Sequence, residues 1–212
     1  MKFSRDSLRL YAVTDRAWLN GRTLGQVVRE AITGGATLVQ LREKNLGYEV
    51  FKYQALEIQR LCREYAIPFI VNDNVNLARD IDADGVHVGQ DDMEAGRVRG
   101  LIGAGKILGV SVRTPEEAVK AEAQGADYLG AGAVFHTGSK ADAVDITHEA
   151  LKAICGSVKI PVVAIGGISL KNARELSGTG IAGLAVISAI FASPDITAAS
   201  RELRAIADEI CV

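Results

Sequence analysis

The residues best suited to chemistry stand in a few short polar clusters, each following an apolar run. The stretch GAGAVFHTGSK, residues 130–140, joins glycine-rich backbone to two hydroxyl residues and a lysine. Thr137 and Ser139 offer hydroxyl donors, Gly138 permits backbone angles closed to other residues, and Lys140 carries a point charge suited to phosphate. Together they read as an anion-binding loop, although glycine, serine and threonine also make ordinary turns. In QLREK, side-chain alternation along a strand puts Gln40, Arg42 and Lys44 on one face and Val39 and Leu41 on the other. With the apolar pair against covering helices, the polar three share the opposite face, where burial demands a ligand or a counter-charge.

Carboxylates follow the next two apolar runs. PFIVND ends in Asn72 and Asp73, and GVHVGQDD in Gln90, Asp91 and Asp92. Carboxylates at neighbouring strand ends invite a cation, and magnesium fits this supply: it takes one or two carboxylates and completes its shell with water and phosphate oxygens. Zinc would want a His or Cys cluster, which is missing. Asp73 and Asp91 have an alternative use as helix caps, and for Asp91 capping is the expectation. Ser111, at the end of GVSV, enters by association. Gly166 and Gly167 in IGGIS, and the turn within AVISAI, each lead into a helical segment and offer free backbone N–H groups suited to phosphate. His87, flanked by valines, is expected to be a satisfied core residue, and His148 an exposed one at a helix start. His136 has no serine or cysteine nucleophile to serve, so acyl transfer is disfavoured.

Such clusters act together only if a scaffold gathers the ends of their segments. LRLYAVTD, ATLVQLRE, PFIVND, GVHVGQ, KILGVSV, DYLGAGAV, PVVAIGG and GLAVISA are eight short apolar segments alternating with helical ones. They are too apolar for a half-exposed sheet and imply parallel strands covered by helices. Eight such units predict an α/β chain folded as one (β/α)8 TIM barrel spanning residues 1–212, with no linker to mark a domain boundary. An open doubly wound sheet commonly carries a glycine-rich turn after its first strand, and RAWLNGRTL lacks that pattern. Between Tyr48 and Ala66, helical spacing turns Phe51, Ala55, Ile58, Cys62 and Tyr65 inward. Thr114, Pro115, Glu116 and Glu117 make a helix start, and Ser169 is expected to cap the helix after the seventh strand.

Composition narrows the partners. Among 212 residues, 24 basic and 26 acidic side chains leave a formal charge of −2, with no long run of either sign, which argues against nucleic acid. Neither a secretory-type apolar run nor a segment long enough to cross a bilayer is visible, so the expected location is cytoplasmic, with no membrane partner. Cys62, Cys155 and Cys211 are far apart and form no CxxC pair, as buried or incidental thiols would.

QLREK, VND, DGVHVGQDD, GVSVRT, GADYLGAGAVFHTGSK, VVAIGGI and AVISAI, in this order over essentially the whole chain, resemble the thiamine phosphate synthase family. The resemblance implies a transferase of thiamine biosynthesis that joins a hydroxymethylpyrimidine diphosphate to a thiazole phosphate, releasing pyrophosphate with Mg²⁺ assistance. By position, it implies that Gln40, Arg42, Lys44, Asn72, Ser111 and Lys140 meet the pyrimidine diphosphate, with Arg42, Lys44, Ser111 and Lys140 as the catalytic set. It gives Asp73 and Asp92 to the metal, and Thr137, Gly138, Ser139, Gly167, Ile187 and Ser188 to the thiazole phosphate. The implied reaction is a dissociative displacement needing no protein nucleophile. Ala133 and His136 stand where the family usually has proline, Ser139 where it has threonine and Asn74 where it has arginine, and DAVDITHEAL lacks a glycine often found there. A thiazole tautomerase and a non-catalytic barrel binding a phosphorylated ligand are the alternatives; the Asn-Asp pair and Lys140 speak for the synthase. Homo-oligomerisation is left open.

Overall fold

The computed structural model describes residues 3–43, 46–137 and 145–212. Strands β1 (Leu10–Val13), β2 (Leu38–Leu41), β3 (Phe69–Asn72), β4 (Gly85–Val88), β5 (Ile107–Val112), β6 (Tyr128–Ala131), β7 (Val162–Ile165) and β8 (Gly183–Val186) pair in parallel, in chain order. β1 also pairs with β8, so the sheet closes into the expected (β/α)8 barrel. Alternation divides each strand between two cores. Val13, Leu38, Ile70, Val163 and Ala185 fill the barrel interior, while Ala12, Val39, Leu41, Val71 and Val86 belong to the layer beneath the helices.

That outer layer is covered by α1 (Leu24–Thr33), α2 (Tyr48–Glu64), α3 (Val75–Asp80), α4 (Ala95–Ile102), α5 (Pro115–Ala123) and α6 (His148–Ser157), and then by α7 (Ser188–Phe191) and α8 (Ile196–Ile210). Their starts are written locally. Thr23 and Gln26 form a reciprocal capping box on α1, and the Thr114 hydroxyl accepts from Glu117 N one residue before Pro115 opens α5. Phe51, Ala55, Ile58 and Cys62 turn inward from α2 as their spacing predicts. Tyr65 does not: it follows the last helical turn and stays exposed, its hydroxyl accepting from Arg29.

Three other expectations change. The connection after β7 is a 3-10 turn, Ala173–Leu176, instead of an α-helix, and Ser169 does not cap it. Instead the Asn172 side-chain oxygen accepts from both the amide and the hydroxyl of Ser169, bracing the loop from the other end. Asp91 does not cap α4, whose N-cap position is Glu94; it lies on the cavity wall. Finally, His148 is half-buried, with its ring edge-on to Phe135 at 5.6 Å.

Candidate active site

The carboxyl ends of the strands surround a cavity of about 330 Å³, within the range of small-molecule sites. Gln40, Arg42, Asn72, Asp73, Asp92, Ser111, Thr137 and Ile187 all contribute to its wall, so most of the scattered candidates meet in one place. Gly166 also faces it, while Gly167 lies one residue behind and Ser188 begins α7 beside Ile187. Lys44, Gly138, Ser139 and Lys140 lie outside the described residues.

Each wall residue is placed by its strand. Gln40 points inward from β2 opposite Val13, and is nearly fully buried. Arg42 follows two residues later on the same side; its amide donates to the Thr14 hydroxyl and its guanidinium lies 3.6 Å from Asp15. Behind it, Arg16 and the buried Glu43 pair at 2.7 Å. Burial raises the Glu43 carboxyl while Arg16 holds it down.

The two aspartates sit together. Asp73 takes a left-handed backbone (φ 59°) directly after β3, and Asn74 behind it caps α3 by accepting from Leu77 N. Capping thus falls to the residue that departs from the family pattern, which leaves the Asp73 carboxylate available to the cavity. Asp92 is held by Gly89, whose amide donates to it at 2.8 Å. Although both residues open toward solvent at the mouth, the surrounding walls and the facing Asp92 push the Asp73 carboxyl up to about 7; Asn72 and Arg42 act in the opposite sense. Among the described residues no group of three or more His, Cys, Asp or Glu side chains could hold a metal unaided. A carboxylate pair that resists full ionisation, lined beside open space, suits a hard divalent cation that draws its other ligands from substrate and water.

A buried row of side chains crosses the barrel beneath this mouth. Gln40 Nε2 donates to the Tyr11 hydroxyl at 2.5 Å, Tyr11 and Tyr128 share a hydroxyl contact of 2.7 Å, and Tyr128 meets His87 Nδ1 at 2.9 Å. His87 Nε2 reaches Ser111 Oγ at 2.9 Å. Burial pushes both phenols well up, so they remain neutral donors. His87 is therefore satisfied, as expected, and it lines the cavity itself beside Ser111, as Tyr11 does beside Gln40. Residue type alone does not single out Tyr11, Tyr128 or Arg113. The period-two inward face through Val13 was the available signal for Tyr11.

The glycines of IGGIS are tightly bounded. Val134 and Phe135 donate their amides to the carbonyls of Ile165 and Gly166, and the peptide between Gly132 and Ala133 is cis. Gly167 has φ +64°, and a Cβ there would lie 2.6 Å from the carbonyl oxygens of Phe135 and His136. Gly167→Ala should therefore lower stability by about 1–3 kcal/mol, from forced backbone strain together with displacement of the loop after β6. Urea unfolding would read this, and an unchanged midpoint would contradict the geometry. Cys62, Cys155 and Cys211 are free, and burial raises all three thiols, which removes them as nucleophiles.

No helix among the described residues is long and apolar enough to cross a membrane. Residues 10–190 match the family model described as thiamine monophosphate synthase. The chain is 51% identical over 194 residues to the thiamine-phosphate synthase of Clostridium tetani, covering 92% of this chain and 93% of that protein. It is 49% identical over 199 residues to the enzyme of that name from Chloroflexus aurantiacus, covering 93% and 92%. The solved structure of thiamine phosphate pyrophosphorylase from Pyrococcus furiosus superposes with a TM-score of 0.90 at 46% identity, covering 97% of this chain and 98% of that one. With the strand-end cavity and the family's motifs in one barrel, the chain belongs to the thiamine monophosphate synthase family, transferases of thiamine biosynthesis.

Proposed function

We propose that the protein is a thiamine-phosphate synthase, joining a hydroxymethylpyrimidine diphosphate to a thiazole phosphate with loss of pyrophosphate. The observation that carries this reading is the Asp73–Asp92 carboxyl pair set in the same cavity as Gln40, Arg42, Asn72 and Ser111. Amide groups suit a heteroaromatic ring, the guanidinium suits a diphosphate, and the carboxylates suit the cation that accompanies a diphosphate.

In this reading, Gln40 and Asn72 hold the pyrimidine and Arg42 receives charge as the diphosphate departs. Ser111 donates to a phosphate oxygen. Lys44 and Lys140, assigned by sequence position, add positive charge at the same end. Asp73 and Asp92 would hold Mg²⁺, which supplies further charge neutralisation for the leaving diphosphate. Thr137, Gly138, Ser139, Gly167 and the Ile187–Ser188 turn hold the thiazole phosphate, so that its ring nitrogen lies within reach of the pyrimidine methylene. Catalysis is then positioning and charge stabilisation, without a covalent protein intermediate.

Purified protein incubated with both phosphorylated substrates and Mg²⁺ should form thiamine phosphate and pyrophosphate. Isomerised thiazole without coupling would favour a tautomerase, and binding without either product a non-catalytic barrel.

A further inference from the structure

The row Gln40–Tyr11–Tyr128–His87–Ser111 runs along the floor of the cavity, which Tyr11 and His87 line, and passes through Tyr128, which does not line it. Space has been left for it. Gly109 on β5 faces the meeting point of Tyr128 and His87, and a Cβ there would collide with the Tyr128 hydroxyl end and His87 Nδ1. Gly130 on β6 likewise leaves room beside the His87 ring, where a Cβ would come within 3.3 Å. Glycine inside a strand weakens it, so two of them against one polar contact indicate a close approach that the barrel accommodates.

Proton counting gives the row a direction. Gln40 Nε2 donates to Tyr11, which is fully buried, so the phenol's own proton goes to Tyr128. Tyr128 then donates to His87 Nδ1, which leaves the ring proton on Nε2, facing Ser111 Oγ. In the opposite sense, with this Gln40 orientation, the Tyr11 proton would have no acceptor among the described residues.

We infer that Tyr11, Tyr128 and His87 are positioning residues: they lock the Gln40 carbonyl oxygen and the Ser111 hydroxyl hydrogen toward the cavity as one acceptor and one donor for the pyrimidine diphosphate. Gln40 is thereby set to accept from an amine of the ring, and Ser111 to donate to phosphate. The inference about the ligand rests on the coupling reading above; the direction of the row does not.

The test uses the intact protein and Tyr128→Phe, with Tyr11→Phe as a second variant. Nitrogen-15 NMR, with the signal assigned by loss in His87→Asn, should show wild-type His87 as the Nε2–H tautomer. Tyr128→Phe removes the donor to Nδ1 and should populate the other tautomer, whereas Tyr11→Phe leaves that donor in place and should not. Calorimetry should show both variants binding the pyrimidine diphosphate roughly three- to tenfold more weakly, the range for one lost hydrogen bond, with thiazole phosphate binding unchanged. A wild-type Nδ1–H tautomer, or one indifferent to Tyr128→Phe, overturns the direction of the row. Unchanged pyrimidine affinity in both variants overturns the positioning role. Absence of thiamine phosphate in the coupling assay would instead defeat the functional reading and leave the tautomer result standing.

Discussion

Arg42→Ala is expected to lower the coupling rate by about two to three orders of magnitude while barely moving the melting temperature. The guanidinium lies on the cavity wall and its nearest carboxylate, Asp15, is 3.6 Å away, too loose to consume its charge. A partly screened charge pair at contact is worth on the order of 4 kcal/mol, and about 1.4 kcal/mol is tenfold in rate. Stability should scarcely change, because the Arg42 contact that holds β2 to β1 is its backbone amide on Thr14, which alanine keeps. The lost Asp15 pair is partly exposed and contributes at most about 1 kcal/mol. Steady-state kinetics with a parallel melt checks this. A rate within fivefold of wild type would place the leaving diphosphate elsewhere.

Asp92→Asn should raise the Mg²⁺ requirement for coupling at least tenfold and also alter how stability depends on pH. Asp73 has a folded-state pKa raised to about 7 by enclosure and by Asp92, above its unfolded value. The folded state therefore binds this proton more tightly, and its stabilising effect is complete below the unfolded pKa and lost as pH rises through about 7. In EDTA, wild-type stability should decline over that window; Mg²⁺, which needs the ionised pair, should stabilise more at pH 8 than at pH 5. Replacing Asp92 removes the facing charge, so the decline should shrink and the Mg²⁺-induced shift in Tm should vanish. An unchanged Mg²⁺ titration in the variant would make Asp92 a structural residue that merely braces Gly89.

The strand order and the inward face of β2 could be read directly because both depend on local periodicity. Eight apolar runs separated by helices have few ways to bury both faces, and alternation alone puts Gln40 and Arg42 opposite Val39 and Leu41. The helix starts at Thr23 and Thr114 are equally local, since a cap needs only residues three apart. Capping is not legible where several candidates compete within one loop. Glu94 rather than Asp91 holds the cap position of α4, and Asn172 rather than Ser169 stands at the turn after β7, while Asn74 caps α3 and leaves Asp73 uncommitted. The path of each loop decides among them, and that path is set by neighbouring strands.

Short-range pattern and residue type are enough for the closed α/β barrel, the family and the set of polar strand ends. The meeting of Asp73 with Asp92, and the bridge that Tyr11, Tyr128 and His87 make from Gln40 to Ser111, arise from contacts between distant segments. Tyr11 and Tyr128 are 117 residues apart and become partners because barrel closure brings their inward faces into contact, in space left open by glycines on β5 and β6. Nothing in the local spacing of either tyrosine encodes that meeting; it follows from the register of strands paired around a ring.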